Sequence, residues 1–344
     1  MSQFDYIKDI AKYGLENDQD KLLSSLNELI DYSKQNKKVN FAIQLQSILR
    51  DAIRHHQTSG LTPMGSLKHQ IREDDREINE FILEKLTSDY RLKDLVCNSD
   101  IKNELESFIE EHKKIDFLRA HNLPVSNKIL LHGPSGCGKT LAAYVLAGEL
   151  EKMMFVVDLG SIVSSKLGET SKNLSKIFRR ASSEGCIIFL DEFDSLGKIR
   201  DYSQDHGEMK RVVNTLLQLF DYLPQDTILI AATNQKDMLD DALLRRFDMS
   251  LDLELPNKQQ IGELVTRVLE STNFSFDNKA ISQKCVNTAL GLSFYSIQKT
   301  LVTSIKRSIF ENDLNVVKLH PKVSTSKWLE LIHSEKKGLN KNNS

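Results

Sequence analysis

Cysteine is scarce in this chain and never closely paired. Cys97, Cys137, Cys186 and Cys285 stand far apart, with no Cys-x-x-Cys spacing, so neither a disulfide framework nor a zinc site is expected. A reducing, cytoplasmic setting follows. Neither sign of charge dominates. Lys and Arg number 46 against 48 Asp and Glu, a balance of −2, which excludes a chain-wide basic footprint and makes a nucleic-acid partner unexpected. No apolar run is long enough to span a bilayer, so no membrane role is expected. The first residues, Met-Ser-Gln-Phe-Asp-Tyr, lack the basic stretch leading into an apolar one that marks a secretory signal. A Gly-x-Ser-x-Gly elbow and a zinc-protease motif are also missing, so the chain itself carries no evident protease. The 344 residues, 40% hydrophobic and 27% charged, suit a globular protein of two or three domains.

Along the chain the character changes several times. Residues 1–56 read as short helices, with Leu22, Leu23, Leu26, Leu29 and Ile30, then Phe41, Leu45, Ile48, Leu49 and Ala52, at helical spacing. They predict a small helical docking domain or a purely structural bundle. Residues 57–87 read as a linker. Gly60 and Pro63 break the pattern, and 65–87 predict a mobile connection or a solvated helix. From residue 88 an amphipathic helix over Ile101–Leu118 is followed by short β-rich runs alternating with helical ones. The strand candidates are Lys128–Leu131, Phe155–Leu159, Cys186–Leu190, Thr227–Ala232 and Ser250–Leu255. This alternation predicts an α/β core over 88–256 with a mainly parallel sheet, because parallel strands need crossovers. After Pro256 no further strands are expected. Residues 257–336 predict a helical lid subdomain with a C-terminal helix, and 337–344 a frayed tail.

Residues 133–140 read Gly-Pro-Ser-Gly-Cys-Gly-Lys-Thr. This fits Gly-x-x-x-x-Gly-Lys-[Ser/Thr], with Ile129-Leu130-Leu131 before it and the helical run Leu141-Ala-Ala-Tyr-Val-Leu-Ala after it. Gly133 and Gly138 let the backbone of Pro134, Ser135, Gly136, Cys137 and Gly138 turn its N–H groups toward phosphate oxygens. The helix that starts near Lys139 adds its positive end. Lys139 would reach the β- and γ-phosphates and Thr140 would offer its hydroxyl to Mg²⁺. A chance glycine turn in this context is remote.

Ile187-Ile188-Phe189-Leu190 is a buried-strand run ending in Asp191-Glu192. A carboxylate at the carboxyl end of a parallel strand stands where α/β sheets bind ligands. Asp191 would hold Mg²⁺ through water, and Glu192 would polarise an attacking water as general base. Asp194 reads as a helix cap.

In this order, Gly-Pro-Ser-Gly-Cys-Gly-Lys-Thr, Ile-Ile-Phe-Leu-Asp-Glu-Phe-Asp, Ala-Ala-Thr-Asn and Leu-Leu-Arg-Arg-Phe-Asp resemble the AAA family of ATPases over roughly Leu92 to Phe310. The chain looks most similar to single-module bacterial AAA proteins with a small helical N-terminal domain. The resemblance implies a P-loop three-layer αβα core, with ATP and Mg²⁺ as cofactors. It implies that Asn234 acts as the polar sensor at the γ-phosphate or lytic water. Arg245 and Arg246 match the arginine-finger pair that serves a neighbouring subunit's site, which implies a homo-oligomeric ring, usually a hexamer. Gly291 and Ser293 would lie against adenine and ribose, with Val96 and Cys97 forming the other wall. Two departures stand out. Alignment through Gly168-Glu169-Thr170 puts Lys166 and Leu167 where many ring translocases carry an aromatic-hydrophobic pair. No arginine is evident at the second sensor position around Gly291–Phe294. The stretch Arg200–Arg211 resembles a second pore loop, and its His206 is given no chemistry.

The resulting expectation is an ATP hydrolase working as a ring to remodel or deliver a protein client. The alternative is an ATP-dependent switch or scaffold that controls a partner protein, and a DNA-associated motor is the weaker reading. Bacterial AAA proteins of this layout often stand beside a subtilisin-like protease in suspected defence or toxin–antitoxin pairs. The resemblance therefore implies such a protease as one candidate partner.

Overall fold

A computed structural model describes residues 3–15, 19–36, 38, 40–46, 49, 82–159, 162, 169–196, 206–311 and 321–342. Lys166, Leu167, Gly168, residues 200–205 of the expected second pore loop and residues 57–81 of the expected linker lie outside these. The chain divides into two compact units. One comprises residues 1–92, 107–130 and 143–250; the other comprises 93–106, 131–142 and 251–344.

The first unit is built on a six-stranded sheet. Its strands are β1 (Ile82–Leu86), β2 (Lys128–His132), β3 (Met154–Asp158), β4 (Ile187–Asp191), β5 (Ile228–Thr233) and β6 (Met249–Asp252), in the order β1-β3-β4-β5-β2-β6. β3, β4 and β5 run parallel, with Phe155 opposite Ile188 and Ile188 opposite Leu229. Their continuous apolar runs, with every residue of β5 buried, are what a sheet covered on both faces requires. The core gathers Phe155, Ile188, Leu190 and Leu229 from the strands. From the helices α6 (Thr170–Glu184) and α7 (His206–Asp221) it gathers Ile177, Phe178, Leu216 and Phe220. α6 stops at Gly185, whose φ of +63° lets its N–H turn back to the carbonyls of Ala181 and Ser182. This is the α/β architecture that the alternating runs predicted.

Four details differ from the sequence expectation, one being that the tail expected to fray from 337 is helical as far as Asn342. Residues 82–86 form a strand, paired antiparallel with β3 so that Ile82 faces Val157 and Leu86 faces Met154. The expected single helix over 101–118 is broken at Lys114 into α3 (Ser99–Lys113) and α4 (Ile115–Ala120). Strands also continue past Pro256. In the second unit β7 (Ser275–Phe276) and β8 (Lys322–Val323) pair in parallel.

The N-terminal helices α1 (Gln3–Leu15) and α2 (Gln19–Gln35) precede a helical stretch at 40–46. Leu23, Leu26, Ile30, Ala42, Leu45 and Leu49 form a small apolar cluster there. Asn40 Nδ2 donates to the Ser88 carbonyl at 3.0 Å and to the Asp89 carboxylate, and Gln44 Nε2 donates to Thr87 Oγ1 at 3.0 Å. Ile43 packs against the main core.

α5 (Lys139–Glu149) begins in the second unit and ends in the first. Near its C-terminus Gly148 is buried under residues 88–91, and Glu149 Oε1 accepts the Leu92 N–H at 2.9 Å.

The second unit has its own core. α9 (Lys258–Thr272) starts with a capping box between Asn257 and Gln260. With α10 (Lys279–Ala289), α11 (Phe294–Glu311) and α12 (Thr325–Asn342) it encloses Trp328, which is fully buried. Trp328 stacks on Phe276 at 5.2 Å and donates from Nε1 to Thr300 Oγ1 at 3.2 Å. Among the described residues no helix is long and apolar enough to cross a membrane.

Candidate active site

β2 runs straight into the loop Gly133–Gly138, which belongs to the second unit. Gly133 has φ +131° and Gly136 has φ +75°, conformations that cost any side-chain-bearing residue. Space forbids a side chain as well. A Cβ on Gly133 would stand 2.3 Å from the Leu253 carbonyl oxygen, and one on Gly136 would stand 2.8 Å from Ser293 Oγ. The loop is therefore pressed against the chain around 253 and 293, leaving its backbone as the working surface. Lys139 opens α5, is 8% exposed, and folds its ammonium over the loop. Nζ donates to the carbonyls of Gly133 at 2.8 Å and Pro134 at 2.9 Å. Thr140 follows on the first turn of the helix.

Beside the loop lies a pocket whose lining includes Val96, Cys97, Ile101, Cys137 and Phe294. Val96 and Cys97, predicted as one wall of an adenine site, thus share a pocket with Cys137 of the phosphate loop. Burial pushes both thiols, Cys97 and Cys137, above their ordinary range. Ser293 accepts the Ser296 N–H at 3.3 Å and so caps α11, while the Tyr295 N–H donates to the Gly136 carbonyl at 3.1 Å. Gly291, with φ +88°, precedes this turn and stands outside the pocket lining. The sequence motif points to Ser293 and no further. Phe294, the next residue, supplies the aromatic surface.

In the first unit, β4 is buried up to Leu190 and emerges at Asp191, whose Oδ1 accepts the N–H of Glu192 at 2.9 Å. Glu192 is exposed and has φ +49°. That left-handed conformation costs a residue with a side chain about 1–2 kcal/mol, and such strain gathers at functional positions. The chain is held just beyond it, where the Phe193 N–H donates to the Ala232 carbonyl at 2.8 Å. Asp194 is 1% exposed and bonded to the end of β5 through Thr233 Oγ1 and the Asn234 N–H; the helix it was expected to cap runs beyond the described residues. Asn234 itself is exposed at the carboxyl end of that strand.

The two arginines of Leu-Leu-Arg-Arg-Phe-Asp part company. The short helix α8 (Asp241–Leu244) is capped by Asp240, which accepts the Ala242 N–H at 2.8 Å. Phe247 packs edge-on against Phe193 and Phe220 at 6.0 and 5.5 Å. Asp248 Oδ2 accepts the N–H groups of Asn127 and Lys128, both at 2.9 Å. Anchored on both sides, Arg246 closes a fork on Asp221, Nε to Oδ1 at 3.0 Å and Nη2 to Oδ2 at 3.3 Å, while Nη1 reaches the Ala242 carbonyl at 3.0 Å. Arg245 is exposed and carries none of these bonds.

The motifs, the sheet order and the loop geometry can be set beside known proteins. A family model described as "ATPase family associated with various cellular activities (AAA)" matches residues 129–255. A protein of Sinorhizobium fredii named "Uncharacterized AAA family ATPase y4kL" is 37% identical over 229 residues, covering 67% of this chain and 68% of its own. The chain belongs to the AAA family of ATPases. It is an ATP hydrolase with a P-loop αβα core. A second AAA relative is the ATP-dependent zinc metalloprotease FtsH of Mesomycoplasma conjunctivae, 33% identical over 188 residues. The match takes 53% of this chain and only 25% of FtsH, so the resemblance to that larger protein is confined to part of it. In fold, the chain is like the crystal structure of the FIGL-1 AAA domain in complex with ADP. The TM-score is 0.60 at 21% identity, covering 76% of this chain and 90% of that one.

Proposed function

We propose that this ATPase works as a ring of identical subunits, most simply a hexamer, which uses Mg²⁺-ATP to remodel or deliver a protein client. The observation that carries the reading is the unequal fate of the two arginines. A guanidinium is an apt group for neutralising transition-state charge on a transferring phosphoryl. Arg246 is spent within its own chain on Asp221, whereas Arg245 is held by a rigid anchor yet left exposed. Such an arginine suits a site on the next subunit, and a head-to-tail contact of that kind closes into a ring.

The remaining roles follow the chemistry of each side chain. Lys139 takes the β- and γ-phosphates. Val96, Cys97 and Phe294 face the base, and Gly291 and Ser293 the ribose side. Thr140 and Asp191 are the residues that would hold Mg²⁺. Their hydroxyl and carboxylate oxygens are the hard donors that this ion prefers. When bound, the ion supplies charge neutralisation at the phosphates. Glu192 accepts a proton from the attacking water, and Asn234 orients that water or the γ-phosphate. The N-terminal helices are proposed as the client-docking module. Four unpaired cysteines agree with a cytoplasmic setting.

Glu192→Gln tests both parts at once. The variant keeps the loop intact, so ATP should still bind while turnover falls by a factor of about 10² or more. Light scattering should show it as a closed oligomer in ATP. Unchanged turnover removes Glu192 as the base, and a monomer at saturating ATP removes the ring.

A second reading is an ATP-dependent switch that restrains a partner, a protease among the candidates, without threading it. Lys166 in place of an aromatic grip favours it. Leu167→Ala separates the two. Lost client processing with normal ATPase supports threading, and no effect supports the switch.

A further inference from the structure

β5 ends at Thr233, and the next N–H groups bond side chains rather than a neighbouring strand. One carboxylate organises them. Asp194 Oδ1 accepts from Thr233 Oγ1 at 3.2 Å and from the Asn234 N–H at 3.3 Å. The same threonine hydroxyl accepts the Gln235 N–H at 3.0 Å. Three consecutive residues, 233 to 235, are thus tied directly or through one hydroxyl to a single buried oxygen. The register is set by the Phe193 N–H, which donates to the Ala232 carbonyl at 2.8 Å and brings Asp194 level with the end of the strand. Asp194 also lies only two residues beyond Glu192.

We propose that Asp194 is a positioning residue for hydrolysis. It fixes the backbone that presents the Asn234 amide. The proposal rests on the role given to Asn234 above. A buried oxygen that accepts two hydrogen bonds holds both donors in place. It restrains the end of the strand without covering Asn234, which stays exposed. Nothing in this arrangement touches nucleotide through Asp194 itself. Its removal should therefore be felt in the chemical step and not in nucleotide affinity.

The test is a double-mutant cycle on the full chain, with kcat from steady-state ATPase and the ATP dissociation constant from equilibrium binding. Asp194→Ala should lower kcat by about 10- to 100-fold, the usual effect of misplacing a reacting group by an ångström. It should leave the dissociation constant within about twofold of the parent. Asp194→Asn keeps the accepting oxygen and should restore most of kcat. Asp194→Ala added to Asn234→Ala should cost nothing further, because the first acts through the second. Full multiplication of the two losses overturns the proposal. So does a normal kcat in Asp194→Ala, or an Asp194→Asn as slow as the alanine variant. Should Asp194→Ala fail to fold, Thr233→Val removes the hydroxyl link alone and must show the same kcat loss, cancelled in the Asn234→Ala background. The single variant Asn234→Ala separates the two ideas. If its kcat is normal, the role of Asn234 fails. If its kcat is low but uncoupled from Asp194, only the present proposal fails.

Discussion

Adding one methyl group to Gly148 should destabilise this protein, against the usual rule. In a helix interior Gly→Ala normally stabilises by about 1 kcal/mol, since alanine loses less backbone entropy on folding. Gly262 in α9 has nothing within 4 Å of a would-be Cβ, and Gly262→Ala should follow the rule. At Gly148 the same Cβ would stand 2.0 Å from the Tyr90 carbonyl oxygen and 3.1 Å from that of Ser88. Both are backbone atoms, so neither can step aside by changing rotamer. Relief requires residues 88–91 to move by about an ångström, an overpacking that costs about 1–3 kcal/mol. The movement strains the bond from the Leu92 N–H to Glu149, worth about 1.5–3 kcal/mol for a charged acceptor if it is lost outright. Set against the propensity gain, the net is a loss of up to roughly 5 kcal/mol, the larger values applying if the bond to Glu149 is lost. Thermal unfolding of the two variants beside the parent reads the difference. At about 2–4 °C per kcal/mol for units of this size, Gly148→Ala should melt several degrees below the parent and Gly262→Ala slightly above it. A Gly148→Ala as stable as Gly262→Ala would refute the claim that backbone contact, and not chance, keeps glycine at 148.

Other outcomes follow from the same geometry. Arg245→Ala should abolish most turnover with ATP binding retained. Mixing it with Glu192→Gln should recover activity, since each subunit supplies what the other lacks; mixtures as inactive as their parts would place Arg245 outside the neighbour's site. Arg246→Ala breaks the fork to Asp221 and should lower both stability and turnover, whereas Asp221→Ala should reproduce that loss if the fork matters. His112 is held below its ordinary value of 6.5, chiefly by burial and against the bond to the Ser126 carbonyl at 2.8 Å. A depressed histidine leaves the unfolded chain binding more protons. Stability attributable to it is therefore complete above pH 6.5 and falls as pH drops toward the folded value. Melting temperatures from pH 7.5 to 5 should decline more steeply in the parent than in His112→Gln, and parallel curves would remove His112 as a contributor.

How much of this was legible depended on range. The central strands could be read to within a residue because β3, β4 and β5 are unbroken apolar runs bounded by turn residues. β1 escaped, because Ile-Leu-Glu-Lys-Leu is an edge strand with three exposed residues, and its pattern suits a solvated helix as well as a strand. β7 and β8 are two residues each, too short for any periodicity. The phosphate loop and Asp191-Glu192 were visible as contiguous motifs whose chemistry is local. The division of labour between Arg245 and Arg246 was not, because it turns on Asp221, which lies 25 positions away. Asp194 posed the same difficulty. In sequence it stands ahead of a helix and looks like a cap, and only the packing of β4 against β5 carries its carboxylate to residues 233–235.

The folded-back ammonium of Lys139 has a thermodynamic consequence. In the role proposed for Lys139, its hydrogen bonds to the carbonyls of Gly133 and Pro134 give way when phosphate oxygens arrive. Nucleotide capture is thus an exchange of partners and not a simple addition. The lysine's measured contribution to affinity will be a difference between two satisfied states, smaller than its charge alone suggests. The closed hook also braces the loop itself, so Lys139→Ala should loosen Gly133–Gly138. Hydrogen exchange of the loop amides in nucleotide-free protein would register that slackening directly.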